Sequence, residues 1–359
     1  MPYSFAAGPA RLPDAVLAAA GETLFRRGAD GAAPLERPFT GDGFRAAMEG
    51  AGRRLAELLA LPPQYRVLFL AGGAMQQFAL VPMNLAVPGD VAAYADSGYW
   101  SKRAIEEGGR LVDVRLAARH PGETPLAAPS GGCWELPPEC AYCHITPNET
   151  VDGIAYPELP DTGPVPLVAD CTSSFLTAPL PVERFGLLYA SAQKNVGIAG
   201  LAVVIVREDL LERSPESLPA PFSYRRQAEA GSRVYTPPMA AIHVAGLVFD
   251  WIAAEGGLAA MEAANARKAA RVYGAIEASG GFYRAPVEPG HRSPVNIRFH
   301  LHDEALTDDF VAAAEAAGLH HLRGHPRLGG LRASLYNAMP EAGAVALADF
   351  LADYCRRRG

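Results

Sequence analysis

The sequence predicts an α/β fold of two packed lobes: a large one on a mostly parallel, seven-stranded sheet and a smaller α+β one at the C-terminal end. Three observations carry this. Short continuous apolar runs alternate with helical or loop segments between residues 66 and 206. After Pro237-Pro238 the texture changes to long helical stretches with isolated strands. The chain's 359 residues, 49% hydrophobic and 20% charged, exceed one small core and suffice for two.

Residues 1–15 read as an arm belonging with the small lobe, 16–240 as the large domain and 241–359 as the small one. In the large domain the runs are Val67–Leu70, Val91–Tyr94, Leu111–Val114, Ala141–Ile145, Pro166–Asp170, Leu187–Ala190 and Leu201–Val206. Continuous apolar runs are the mark of strands buried on both faces, hence of a mostly parallel sheet covered by helices. The last two runs lie too close together for a crossover and predict a hairpin-like exception. Beyond Pro238, a helical stretch from about Ala240 to Ser279 is interrupted near Gly256-Gly257. There follow a strand at Val295–Phe299, an Ala-rich helix at Asp308–Ala317, a strand at Leu331–Leu335 and a closing helix from Glu341.

Charge and composition remove several function classes. A net charge of -7 does not suit a nucleic-acid or acidic-membrane partner, and no apolar run approaches membrane-helix length. Met1-Pro2-Tyr3-Ser4-Phe5 lacks the basic flank and apolar stretch of a signal peptide, so the cytoplasm is the expected compartment. The five cysteines (Cys133, Cys140, Cys143, Cys171, Cys355) are too scattered for a disulfide framework. Cys140-Ala-Tyr-Cys143-His144 matches the pattern of covalent haem attachment but reads as a short buried strand before Thr146-Pro147-Asn148. No second ligand pair follows at zinc spacing, and no metal is expected.

The chain has only three lysines, Lys102, Lys194 and Lys268, its other basic charge being arginine. Lys268, within Asn265-Ala266-Arg267-Lys268-Ala269, is read onto the polar, solvated face of a helix. Lys102, after Tyr99-Trp100-Ser101, is read as a surface residue at a loop–helix junction. Lys194 differs, because Ser191-Ala192-Gln193-Lys194-Asn195 follows a buried strand, and ligands of α/β folds bind at strand ends. Lysine is the side chain whose amine condenses with a carbonyl and whose pKa burial lowers, and arginine cannot replace it. The alternative is a surface lysine at a turn.

Four segments, in order, resemble the phosphoserine aminotransferase family of fold-type-I, class V enzymes that use pyridoxal 5'-phosphate (PLP). They are Asp96-Ser97-Gly98-Tyr99-Trp100, Pro147-Asn148-Glu149-Thr150-Val151-Asp152-Gly153, Ser191–Asn195, and Leu331-Arg332-Ala333-Ser334-Leu335-Tyr336-Asn337-Ala338-Met339-Pro340. The resemblance covers nearly the whole chain. It implies a homodimer with shared active sites, an amino acid and a 2-oxo acid as substrates, and neither nucleic acid nor membrane as partner.

By position, the resemblance implies that Lys194 carries PLP as a Schiff base and then moves the substrate's Cα proton. Asp170 would pair with the pyridinium nitrogen and keep the ring an electron sink. Trp100 would stack on the ring, and Thr150 would hydrogen-bond its phenolic oxygen. Gly73, Ala74 and Met75, opening a helix, would hold the cofactor phosphate through backbone N–H groups and the helix dipole. Gln193, Tyr235 and Thr236 fall at cofactor positions, Thr236 from the neighbouring subunit. Arg332 would clamp the α-carboxylate bidentately. Taken singly, Asp170 also suits a helix cap, Trp100 a core residue, Gly72-Gly73 a tight turn and Arg332 a structural ion pair; jointly with Lys194 the functional reading prevails.

The chain departs from the family where substrate phosphate is recognised. Aligned on Glu36 and Gly41, the family's His-Arg pair is Phe39 and Thr40 here. The basic residue expected in Gly324-His325-Pro326-Arg327 is Pro326. Met75 stands where some relatives carry arginine, and Tyr235 where they carry asparagine. Arg37, His325 and Arg327 are the cations left to compensate. The implied activity is phosphoserine:2-oxoglutarate transamination. The alternatives are a paralogue with a less anionic amino acid, for which phosphoserine would be a poor substrate, or PLP-dependent elimination, replacement or carbon–carbon bond formation.

Overall fold

A computed structural model describes residues 2–120, 122, 124–129 and 134–359, so Cys133 lies outside the described residues. In chain order the elements are β1 (Tyr3–Ser4), α1 (Asp14–Thr23), α2 (Asp42–Leu58), β2 (Tyr65–Ala71), α3 (Ala74–Leu85), β3 (Val91–Asp96), α4 (Tyr99–Gly108) and β4 (Asp113–Arg119). Then come β5 (Cys143–Ile145), β6 (Leu167–Asp170), β7 (Leu187–Ser191), β8 (Leu201–Arg207), α5 (Glu208–Leu211) and α6 (Tyr224–Glu229). The C-terminal part holds α7 (Met239–Ala254), α8 (Gly257–Glu277), β9 (Tyr283–Arg284), β10 (Asn296–Leu301), α9 (Thr307–Ala316), β11 (Leu319–His320), β12 (Leu331–Ser334) and α10 (Glu341–Arg358).

The large sheet has seven strands in the order β2-β8-β7-β6-β5-β3-β4. It is parallel except for β8, which runs antiparallel to both β2 and β7. The expected hairpin-like exception is the β7–β8 pair. Several boundaries differ by a residue or two, as where β5 starts at Cys143 rather than Ala141; the fourth strand starts at Asp113, not Leu111, and continues to Arg119. Leu111 and Val112 form the turn closing α4, where Val112 is buried.

Alternation along the strands divides the core. Phe69, Ala93, Ile145 and Ala169 face one layer with α2 and α7, while Leu68, Ala92, Tyr94 and Val168 face another with α3 and α4. Each strand thus buries both faces, as its apolar run requires. His144 belongs to this packing: its Nε2 pairs with Tyr189 Oη at 2.8 Å, its ring stacks on Tyr94, and burial pushes its pKa down to about 3.

A second apolar cluster lies between α8, α9, α10 and the β9-β10-β12 sheet, with Phe5 of the arm inside it. β1 pairs in parallel with β11, carrying the N-terminal arm onto this cluster. The expected boundary at 240–241 does not coincide with the change of core. Ile242, Val248, Phe249 and Ile252 of α7 pack into the large-sheet cluster, as do Leu258 and Met261 at the start of α8; the second cluster begins at Ala269. Helix α7 is apolar almost all round because it lies between α1, α2 and the sheet. No single helix is long and apolar enough to cross a membrane among the described residues.

Candidate active site

Strands β2, β3, β5, β6 and β7 end at one edge of the sheet, the edge where open α/β sheets place ligands. A cavity of about 260 Å³ opens there, and Gly73, Trp100, Thr150, Asp170, Gln193 and Lys194 are among its walls. The sheet thus brings residues from five separate segments within reach of one ligand.

Lys194 sits three residues beyond β7 in the turn that leads to β8. It is buried, and its Nζ donates to Thr150 Oγ1 at 2.5 Å. Burial lowers its pKa to about 8; Asp170 opposes this and the Arg332 guanidinium adds to it. A substantial neutral fraction near pH 8 makes it a nucleophile that a solvated lysine is not. Asp170 ends β6, buried; its Oδ1 accepts the Thr172 N–H at 2.9 Å and burial raises its pKa. Among the described residues it has no salt-bridge partner, so a cation brought by a ligand would satisfy it.

Trp100 stands in the first turn of α4, its ring centroid 5.9 Å from Lys194 Nζ. Its placement depends on two buried carboxyl groups. Glu149 accepts the N–H groups of Trp100 and Ser101, each at 2.8 Å, and Asp152 accepts that of Tyr99 at 2.7 Å. Carboxylates at a helix N-terminus satisfy open N–H groups and oppose the dipole. Burial, with repulsion from Asp152, raises the Glu149 pKa, and burial also raises that of Asp152. At Gly98 an added Cβ would stand 2.6 Å from Asp152 Oδ2, so only glycine lets the helix approach these carboxyls.

The far wall is the start of α3, where Gly73, Ala74 and Met75 present the helix N-terminus to the cavity. Ser191 and Gln193 hydrogen-bond each other through their side chains beside it. Tyr235 and Thr236 do not line this cavity. Tyr235 Oη accepts the Ala71 N–H at 3.0 Å beside a shallow apolar pocket containing Phe222, and Thr236 is exposed. Phe39 packs on the large core and Thr40 is exposed, likewise outside the cavity.

Arg332 lies on β12 close enough to Lys194 to depress its pKa, and burial lowers its own. His325 packs on Tyr99 with ring centroids 4.6 Å apart, and the Arg327 guanidinium stands 5.8 Å from the same ring. Pro326, between them, is exposed.

One lysine assignment is corrected. Lys268 is not solvated: it is 2% exposed, and its Nζ donates to the carbonyls of Leu335, Tyr336 and Met339 at 3.0, 2.8 and 3.1 Å. Helix α8 turns this position toward the loop between β12 and α10, and the local sequence carries no sign of that packing. Lys102 is exposed as expected, its Nζ 3.8 Å from Asp96.

Further residues belong to the site. Thr172 and Ser173, outside the motifs, line the cavity, and the motif residue Asn148 donates to Ser173 and Asn296. Asn195 accepts the Asn337 N–H at 3.1 Å, tying the lysine turn to the loop after Arg332. The arm closes over the same turn, with Ala10 N–H donating to the Gln193 carbonyl at 2.8 Å. Shared motifs with Lys194 and Arg332 were the available signal for Asn195 and Asn337; nothing local signalled that the arm covers the lysine turn.

These walls fit pyridoxal phosphate. A buried amine of lowered pKa, a buried carboxylate without a cation, an indole flanking the gap and a helix N-terminus at its end suit aldehyde, pyridinium nitrogen, ring and phosphate respectively. The Aminotransferase class-V family model matches residues 2–347. The phosphoserine aminotransferase of Stenotrophomonas maltophilia (strain R551-3) is 48% identical over 357 residues, 99% of each chain. That of Acidithiobacillus ferrooxidans (strain ATCC 53993 / BNL-5-31) is 44% identical over the same shares. The solved structure of phosphoserine aminotransferase from Bacillus circulans subsp. alkalophilus superposes with a TM-score of 0.97 at 41% identity, covering 100% of this chain and 99% of that one. PLP-bound phosphoserine aminotransferase from Trichomonas vaginalis gives 0.92 at 36%, covering 98% and 99%. With the lysine, carboxylate and indole around one cavity and this likeness along the whole chain, the protein belongs to the phosphoserine aminotransferase family of class-V, PLP-dependent aminotransferases.

Proposed function

We propose that the protein exchanges an amino group between phosphoserine and 2-oxoglutarate. The observation that carries this is the Lys194, Asp170, Thr150 and Trp100 constellation within a chain alike from end to end to phosphoserine aminotransferases. Bound here, PLP supplies an electron-withdrawing ring that makes the substrate's Cα proton removable. Lys194 would hold the cofactor through its amine and carry the proton at the substrate Cα. Asp170 would pair with the ring nitrogen, Trp100 and Thr150 would flank the ring, and the α3 N-terminus with Ser191 and Gln193 would hold the phosphate. Arg332 orients the α-carboxylate.

Phe39, Thr40, Tyr235 and Thr236 miss their own protomer's cavity, which supports a homodimer in which they serve the neighbour. The four thiols free among the described residues (Cys140, Cys143, Cys171, Cys355) suit the reducing cytoplasm. Core packing supports the start of the arm, Tyr3 and Phe5, belonging with the small lobe, although Leu12 already packs on the large core, and a large domain extending past residue 240 to about Met261. A second reading, a less anionic amino-acid substrate, is favoured by Phe39, Thr40 and Pro326 standing where cations are expected.

A spectral screen of the purified holoenzyme separates the two readings. Phosphoserine should convert the visible cofactor band to the aminated form, and borohydride should fix the cofactor to a Lys194 peptide. Label at Lys102 or Lys268 refutes the lysine assignment. Conversion by neutral amino acids but not by phosphoserine establishes the second reading.

A further inference from the structure

Strand β10 carries an arginine that the sequence motifs do not contain. Arg298 is the register partner of Arg332 in the antiparallel β10–β12 pair. Directly opposed residues project from the same face of a sheet, and like charges so placed repel. The shared face meets the cavity wall from behind, through Asn148. Asn296, two residues before Arg298 and therefore on its side of the strand, donates to Ser334 and Tyr336, and accepts from Asn148 of the cavity wall. The intervening Ile297 and the following Phe299 point the other way, into the small-lobe core.

Both guanidiniums are half-buried, and among the described residues neither forms a salt bridge. Arg298 has one hydrogen bond, from Nη2 to the Leu328 carbonyl at 3.3 Å, which ties it to the His325–Gly330 loop. Its Nε is shielded from solvent and has no partner. The anion nearest in effect is Asp152, whose Oδ2 already accepts the Tyr99 N–H. At Gly153 an added Cβ would lie 3.2 Å from Arg298 Cβ, so the tight turn after Asp152 packs directly against this arginine.

Two adjacent, incompletely paired guanidiniums beside one substrate cavity are costly alone and are resolved by a ligand with two anionic groups. We propose that Arg298 determines specificity by holding the side-chain anion of the substrate while Arg332 holds its α-carboxylate. Resting on the transaminase reading above, this places recognition of the second anion on β10 in the same protomer, where Phe39, Thr40 and Pro326 supply no charge. The chemistry required is a dianionic amino or oxo acid, its second group a carboxylate or a phosphate ester.

The test uses holoenzyme of the wild type, Arg298→Gln and Arg298→Lys, each first checked for an unchanged cofactor band and thermal midpoint. Arg298→Gln should lower kcat/KM for phosphoserine and glutamate by roughly 10–100-fold, chiefly through KM, and leave alanine within about twofold. Arg298→Lys should recover part of the loss. A larger loss for phosphoserine than for glutamate identifies the phosphate ester as the group held, and the reverse identifies the carboxylate. A calorimetric titration with unreactive glutarate and butyrate reads the same contact without turnover, and the wild-type preference for the dianion should collapse in Arg298→Gln. Equal losses for alanine and phosphoserine, or an unchanged glutarate-to-butyrate ratio, overturn the proposal. If phosphoserine fails with the wild type while the glutarate preference is present and Arg298-dependent, the substrate reading falls and the role of Arg298 stands.

Discussion

Replacing Lys268 by methionine tests whether a buried ammonium holds the loop between β12 and α10. Methionine keeps most of the apolar stem but leaves the carbonyls of Leu335, Tyr336 and Met339 without this donor. Three acceptors match the three N–H groups of the charged form; a neutral amine could serve only two. At about 1.5–3 kcal/mol per charge-assisted bond, the gross loss is roughly 4.5–9 kcal/mol. Against it stands the relief of burying a cation. Burial draws the Lys268 pKa down to about 7, a desolvation cost of about 5 kcal/mol. The net expectation is a destabilisation of about 2 kcal/mol at neutral pH, the midpoint of those bounds. The sign of the pH dependence follows from linkage. With its folded pKa below its unfolded one, Lys268 binds more protons in the unfolded chain between about pH 7 and the usual lysine range. Wild-type stability relative to Lys268→Met should therefore grow as pH rises through that window. Urea unfolding of holoenzyme followed by circular dichroism at pH 7 and pH 9 measures both. A methionine variant as stable as the wild type at both pH values would refute the reasoning, because buried ions can be replaced by apolar groups without loss where their pairing is poor.

Other perturbations follow from the site. Because burial brings the Lys194 amine to about 8, cofactor attachment to the apo-protein should accelerate with a midpoint near pH 8; a midpoint in the ordinary lysine range contradicts a desolvated amine. Glu149→Ala removes the acceptor of two buried helix N–H groups and should cost about 2–4 kcal/mol in unfolding free energy. It should also shift the near-ultraviolet dichroism of Trp100, and an unchanged spectrum would show that α4 is held otherwise. Arg332→Lys loses bidentate recognition of the α-carboxylate and should raise KM by roughly 10–100-fold for every amino acid alike. A loss confined to phosphoserine would instead assign Arg332 to the side-chain phosphate rather than the α-carboxylate.

Much of the fold was legible because burial on two faces leaves a direct trace in the chain. All seven apolar runs became strands of one sheet, and the break at Gly256-Gly257 separates α7 from α8. Where the reading failed, the cause was long-range. Leu111-Val112 are apolar because a turn buries Val112, and α7 joins the large core through contacts with α2, distant in sequence.

The sequence by itself determined the chemistry. Lys194, Trp100, Thr150 and Arg332 stand in the motifs that carry the family resemblance, and Asp170 ends a buried apolar run; the roles proposed for them rest on that resemblance. Only the tertiary structure decided which charges lie together. Lys268 looked solvated from its helical neighbours, yet three carbonyls from residues 335–339 surround it. Arg298 belonged to no motif, and the β10–β12 register alone sets it against Arg332. Residue type is written locally, whereas desolvation and pairing depend on what the fold brings from elsewhere in the chain, and those two terms govern how a charge behaves.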